Sequence, residues 1–168
     1  MEEVMTSRMC LKDAINIIIE NEKSLIDFSK KYSAIYRDDE RAVQLFEEVA
    51  DVENGHTRFL SDVLKGLTED QCTFMIDQDH KSLRVVDPET VGGYDNPGEL
   101  SLREVVQTLE IMENRAVDGL KSIRRVFAKG LNLHNVINED SALLDKIFAY
   151  SQTGEAFADQ YIASGMAE

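Results

Sequence analysis

The sequence predicts an all-α protein: a bundle of four long helices with a long crossover connection between the second helix and the third. Three observations lead there. The chain has 2 prolines, 9 glycines and no tryptophan in 168 residues, and few consecutive β-branched residues, which suits helices better than a sheet. Apolar residues recur at spacings of three and four in four separate stretches, the mark of a helix with one buried face. Between the second and third stretches, Thr68 to Glu99 breaks the pattern with Asp87-Pro88, Gly92-Gly93 and Asn96-Pro97-Gly98, all turn signals. A connection of that length inside a compact domain makes sense if the flanking helices run parallel and the chain must travel back along the bundle.

The first helix is expected over about 7–36, with Leu11, Ile15, Ile18, Ile19, Leu25 and Ile26 on its apolar face. Arg37-Asp38-Asp39-Glu40 places acid where a second helix begins, able to cap free amides and favoured by the dipole. That helix, over about 39–66, carries Val43, Phe46, Val49, Ala50, Phe59, Leu60 and Val63. The crossover occupies 68–99, part of it expected as a short helix. Ser101-Leu102-Arg103-Glu104 is a Ser-x-x-Glu capping box opening a third helix over about 101–130, with Leu102, Val106, Leu109, Ala116, Val117 and Leu120 inward. After a loop through Asn132 to Asn138, a fourth helix is expected over about 140–165, with Leu144, Ile147, Phe148, Ala158, Tyr161 and Ile162 inward.

The halves resemble one another. Sliding the first helix onto the third by 91 positions pairs Leu11 with Leu102, Ile15 with Val106, Ile18 with Leu109 and Glu22 with Glu113. Sliding the second onto the fourth by 98 pairs Phe46 with Leu144, Val49 with Ile147 and Leu60 with Ala158. With 43% hydrophobic residues, the chain can bury one sizeable core and is too short for two independent domains, so 1–168 is read as a single domain.

The formal charge is −14, from 32 acidic and 18 basic residues. Such a field repels nucleic acid and anionic lipid and attracts cations, which argues against both as partners. Cys10 and Cys72 form no Cys-x-x-Cys pair, so neither a zinc ribbon nor a rubredoxin-type iron site is encoded. The opening residues lack a basic stretch followed by an apolar run, and Ile15 to Ile19 is too short to span a bilayer. A soluble, cytoplasmic protein is expected.

The chemistry is carried by acids on inward faces, because residues three and four positions away share a side chain's surroundings. Glu22 is flanked by Ile18, Ile19, Leu25 and Ile26, whereas Glu20 stands among Asn16, Ile17, Lys23 and Ser24 and is assigned to solvent. Glu53 and His56 form a Glu-x-x-His pair beside Val49, Ala50, Phe59 and Leu60. Glu113 has Leu109, Ala116 and Val117 around it, and Glu110 stands where the repeat has Ile19, a further inward carboxylate. Ionised carboxylates gathered in one core suffer desolvation and mutual repulsion. No arginine or lysine stands on these stripes in the first three helices, so a cation held by oxygen and imidazole is the simplest compensation. A single Glu-x-x-His is common by chance; three helices agreeing in register is not.

Ile19-Glu20-Asn21-Glu22-Lys23, Glu53-x-x-His56 and Leu109-Glu110-Ile111-Met112-Glu113 resemble the rubrerythrin-like branch of the ferritin-like superfamily, over nearly the whole chain. The resemblance implies a ferritin-like four-helix bundle in which one glutamate from the first helix, a Glu-x-x-His from the second, one glutamate from the third and a second Glu-x-x-His from the fourth hold two irons. Glu22, Glu53, His56 and Glu113 match by position, with Glu53 and Glu113 as the implied bridges, and Glu110 matches an additional third-helix glutamate. The fourth helix departs from the pattern: the repeat sets Ser151 and Gly154 opposite Glu53 and His56, and Glu155, one residue along, is the expected substitute, with Gln152 beside it. The centre is accordingly expected to hold a di-iron pair or a single iron, with manganese or zinc as alternatives.

The activity implied by the resemblance is iron-dependent reduction of peroxide or dioxygen, protecting against oxidative stress, with an external electron donor in place of a rubredoxin-like module. Two other readings stay open: an iron-handling or ferroxidase protein, and a catalytically silent bundle with one structural metal. A homodimer is the assembly the resemblance implies. His80 and His134 read as surface histidines, and Tyr32, Tyr36, Tyr150 and Tyr161 as packing residues.

Overall fold

The computed structural model describes residues 8–77, 83–126 and 131–164, and the side chains within them except at 126 and 154–164. In chain order these form β1 (Arg8–Cys10), α1 (Leu11–Ile35), α2 (Glu40–Gly66), α3 (Glu69–Cys72), β2 (Met75–Asp77), α4 (Pro88–Val91), α5 (Leu102–Val126) and α6 (His134–Ser164). The protein is mostly helical, as expected, and its long helices pack as a bundle in which α1 meets α2 and α5, and α6 meets α5 and α2. Among the described residues no helix is long and apolar enough to cross a membrane.

Local chemistry accounts for most boundaries. The Asp39 carboxylate accepts from the Arg41 and Ala42 amides at 3.1 and 3.0 Å, opening α2. The capping box at α5 is formed in both directions: the Ser101 amide donates to Glu104 Oε2 at 2.8 Å and the Glu104 amide to Ser101 Oγ at 3.3 Å. Among the described residues the crossover contains two short helices. In α3 the Thr68 side chain accepts from the Gln71 amide while Gln71 accepts from the Thr68 amide, and Asp87 caps α4. The first helix starts later than expected because Arg8–Cys10 pair antiparallel with Met75–Asp77, and the Leu11 amide donates to the Phe74 carbonyl at 2.7 Å. α5 is described to Val126; the end of the expected third helix, about 130, lies outside the described residues.

The fourth helix requires two corrections. It begins at His134, within the stretch expected as a loop through Asn138, and the Ile137 amide already bonds the Leu133 carbonyl at 3.0 Å. Leu133, Val136 and Ile137 are buried, and that gain outweighs the modest helix propensity of the surrounding asparagines. Phe148, expected inward, is 56% exposed. Of the other expected inward residues, Ala158, Tyr161 and Ile162 lie outside the described side chains.

The core divides into two apolar clusters with a polar layer between them. One holds Leu25, Phe28, Tyr32, Phe46, Val49, Leu109 and Leu143 among others; the other holds Leu11, Ile15, Ile18, Leu60, Leu120, Ile123, Leu133 and Ile137 among others. Along α1 the chain passes from the second cluster to the first, along α2 and α5 from the first to the second, and along α6 back again. Hence α2 and α5 run parallel, and residues 67–101 must carry the chain the length of the bundle. Leu83, Pro88 and Leu100 bury part of that crossover. Asn21 anchors it by donating to the Arg84 carbonyl and accepting from the Val86 amide. Glu89 anchors it again, accepting from Tyr32 Oη at 3.0 Å, Lys31 Nζ at 2.5 Å and the Gly98 amide at 3.0 Å. At Gly98 the backbone has φ +92°, a conformation that costs glycine little and a side-chain-bearing residue considerably more.

Candidate metal centre

Each long helix contributes to the polar layer at the level where the two apolar clusters meet. α1 supplies Glu22, between Ile18/Ile19 and Leu25/Ile26; α2 supplies Glu53 and His56; α5 supplies Glu113, between Leu109 and Val117; α6 supplies Asp140, between Val136/Ile137 and Leu143. All five are at most 2% exposed. Ligand-capable atoms of Glu22, Glu53 and His56 lie within 4.8 Å of one another, as do those of Glu53, Glu113 and Asp140. Glu53 belongs to both groups.

The sequence-predicted residues Glu22, Glu53, His56 and Glu113 are thus brought together. Glu110 is only half-buried and joins neither group. Glu155 lies outside the described side chains. The pairing of Glu53 and His56 with Ser151 and Gly154 is corrected: His56 meets Glu139 and Asp140 instead, and farther along α6 Lys146 pairs with Glu48 and Thr153 with Arg41. Asp140 and Ser151 are separated by about three helical turns, so the 98-position slide chose the correct helix face at the wrong level. Asp140 and Glu139 are the functional candidates that sequence reasoning missed. The signal is Val136, Ile137, Asp140 and Leu143, an acid inside an apolar stripe that straddles the expected loop and helix start.

The electrostatics are those of a site short of positive charge. Burial, reinforced by the charges of Glu53 and Asp140, holds Glu22 well above the usual carboxylate range, with the Thr57 hydroxyl, 3.3 Å from Oε2, pulling the other way. Burial and then Asp140 push Glu53 from 4.5 up to about 7, against the pull of His56. Glu113 is likewise held well above its ordinary value, by burial first and then by Glu53 and Asp140. For His56 burial works to lower the value, but Asp140, Glu53 and Glu139 together raise it from 6.5 to about 9.

Geometry points the same way. His56 Nε2 lies 2.9 Å from Glu139 Oε2 at the bundle surface. With Nε2–H donated there, Nδ1 faces inward, 2.8 Å from Asp140 Oδ1 and 3.8 Å from Glu53 Oε1. Neither contact is a directed hydrogen bond, and Nδ1 has no hydrogen-bond partner. Among the described side chains the same holds for seven buried carboxylate oxygens: Glu22 Oε1 and both oxygens of Glu53, Glu113 and Asp140. Each such group carries a desolvation cost of roughly 1–3 kcal/mol or more when charged, which directed donors would ordinarily relieve. Two ligands on one small divalent ion stand roughly 3.0–3.5 Å apart, given bond lengths near 2.0–2.2 Å, and the 2.8 and 3.8 Å approaches bracket that spacing. An imidazole oriented by an outer carboxylate, with several inward oxygens, is a donor set suited to iron, manganese or zinc.

No protein-family model, no curated protein and no solved structure matches this chain.

Proposed function

We propose that this protein is a ferritin-like metal protein of rubrerythrin type, an iron-dependent oxidoreductase that reduces peroxide or dioxygen. The observation that carries the reading is the layer of seven buried carboxylate oxygens and one imidazole nitrogen without hydrogen-bond partners, contributed by four helices at one level. Supporting it are the parallel run of α2 and α5 and the long crossover between them, the connectivity of ferritin-like bundles. Bound iron would supply the electrons that reduce the oxygen–oxygen bond, and an external donor would restore them. The chain's own residues hold the ion and set its surroundings: Glu53 lies between two ligand groups, His56 presents Nδ1, and Glu139 fixes the ring through Nε2. The apolar clusters above and below exclude bulk water, strengthening every interaction within the layer. A homodimer belongs to the same proposal.

One observation favours a silent bundle with a structural ion: among the described side chains α6 brings Asp140 to the layer and no second imidazole. Anaerobic ferrous loading, metal analysis per chain and peroxide consumption with a reducing dye separate the two. The oxidoreductase reading expects iron in the parent chain, its loss in Glu113→Ala, and turnover that follows iron content. Full loading without peroxide consumption would leave the structural reading, and no metal uptake would dispose of both.

A further inference from the structure

The layer is covered unequally on its two sides. Between α2 and α6, His56 meets Glu139, and along the same seam Lys146 pairs with Glu48 and Arg41 with Thr153. Between α1 and α5 the described side chains leave a recess whose lining includes both Glu22 and Glu53. It has about 10 Å³ of space for a water-sized molecule, enough for roughly one. Ile18, Leu25 and Met112 in its walls are buried, while Asn21, Arg115 and Ala116 are half-buried and mark its outer end. We infer that peroxide reaches the layer through this α1–α5 seam, and that Ala116 sets the size of the largest molecule that passes. The inference rests on the proposed reduction of peroxide and names the entrance to that site and its size limit.

The internal repeat shows why room is left here. Sliding α1 onto α5 by 91 positions sets Leu25 against Ala116, so a level that one helix fills with a branched side chain the other leaves as a single methyl. Leucine at Ala116 would add an isopropyl group to a space that holds about one water. On the α1 side Asn21 is held by the Arg84 carbonyl and the Val86 amide, so the crossover braces the opening. Apolar walls suit a small neutral molecule and penalise a charged one that must shed its hydration. Hydrogen peroxide is little larger than water and meets both conditions. A branched alkyl hydroperoxide is too large, and so is a divalent ion carrying its hydration waters.

Met112 is a reporter inside the recess that needs no metal. Its sulfur takes one oxygen from a peroxide to give the sulfoxide, releasing water or the corresponding alcohol. Met112 is 3% exposed and Met75 48% exposed, so Met75 serves as the reference within the same chain. The full metal-free chain is treated with hydrogen peroxide or with tert-butyl hydroperoxide, and sulfoxide at each methionine is read by peptide mass spectrometry. In the parent the Met112-to-Met75 ratio is expected to be at least about tenfold higher with hydrogen peroxide, the discrimination an apolar pocket makes for roughly one methylene. Ala116→Leu is expected to lower the hydrogen peroxide ratio by a similar factor, and Ala116→Gly to raise the tert-butyl ratio. Ala149→Leu, at an exposed position between α2 and α6, is expected to change neither. A parent ratio independent of oxidant size would mean that Met112 reacts only when the bundle opens, and would overturn the inference. So would an unchanged ratio in a folded Ala116→Leu chain. Loss of folding raises Met112 oxidation by both oxidants, the opposite of a plugged entrance, and the parent comparison then decides because it requires no variant. In the iron-loaded chain Ala116→Leu is expected to keep its iron and to consume peroxide more slowly. A parent that takes up no iron yet discriminates by oxidant size would sink the proposed function and leave the entrance standing.

Discussion

Replacing Glu53 by glutamine should stabilise the metal-free protein at pH 8, although it alters a residue that is 1% exposed at the centre of the bundle. In the folded chain burial and Asp140 raise the Glu53 carboxyl from 4.5 to about 7. A group whose folded value is raised contributes its full stability below the unfolded value and loses it as pH climbs through the folded one. At about 1.4 kcal/mol for each pH unit between those limits, ionising Glu53 in place costs about 3 kcal/mol. Glutamine keeps the shape of the neutral acid, and its amide can donate to carboxylate oxygens of Glu113 or Asp140 that lack donors. Urea unfolding followed by circular dichroism, in chelator, should place Glu53→Gln about 3 kcal/mol above the parent at pH 8, or roughly 6–12 °C in thermal midpoint at 2–4 °C per kcal/mol. At pH 5, where Glu53 is already protonated in the folded chain, the advantage should nearly vanish. His56, raised from 6.5 to about 9, acts in the same direction at higher pH, so parent stability should decline from about pH 4.5 to about 9. A variant less stable than the parent at pH 8, or an equal difference at both pH values, would refute the reasoning. In saturating metal the sign should reverse, because the shared ligand is gone.

Three further substitutions probe other links. Glu139→Ala should weaken metal binding by about 10- to 100-fold, the usual effect of losing the carboxylate that orients a histidine ligand. It should leave unfolding by urea little changed, since Glu139 is 63% exposed. Glu89→Ala should cost about 1–3 kcal/mol, because the Tyr32 hydroxyl and the Gly98 amide both lose their shared acceptor; faster amide exchange at Gly98 and Leu100 would localise the effect to the crossover. Phe46→Ala removes a ring that is fully buried in the cluster beside the layer and should cost about 3–5 kcal/mol, read as a lower midpoint in urea with an unchanged slope.

The helical class and three of the four inward acid positions were legible because each lies within a long, well-patterned amphipathic stretch. Glu22 has apolar residues at all four positions three and four away, and Glu113 has them at three of the four, Glu110 being the exception. The start of α6 was not legible for the opposite reason. Asn132, Asn135 and Asn138 favour turns and caps by bonding nearby backbone, and only tertiary burial of Leu133, Val136 and Ile137 against α1 and α5 residues of the same cluster tips the segment into helix. With the fourth helix expected from about 140, Asp140 falls at its start, and the 98-position slide, matched on Phe46/Leu144 and Val49/Ile147, sets Ser151 and Gly154 opposite Glu53 and His56. The β1–β2 pairing was invisible for a related reason, since two strands of three residues each offer too little alternation to register as a pattern.

The polar layer interrupts what would otherwise be one continuous apolar core. On each long helix a single turn of apolar side chains in place of Glu22, Glu53, Glu113 or Asp140 would join the two clusters and remove buried polar groups that lack hydrogen-bond partners, each costing roughly 1–3 kcal/mol. Stability alone therefore gives no account of the layer. Rigid helices packed on both sides hold its atoms in position before any ion arrives, which is the arrangement that keeps a binding site close to its working geometry. The same packing means that the protons retained by Glu22, Glu53 and Glu113 must leave when a cation enters. Apparent affinity should consequently rise with pH through about 7, where Glu53 ionises, and metal uptake in weak buffer should acidify the solution. A titration that consumed no base on binding would mean that the carboxyls are not the ligands, whatever their number and burial.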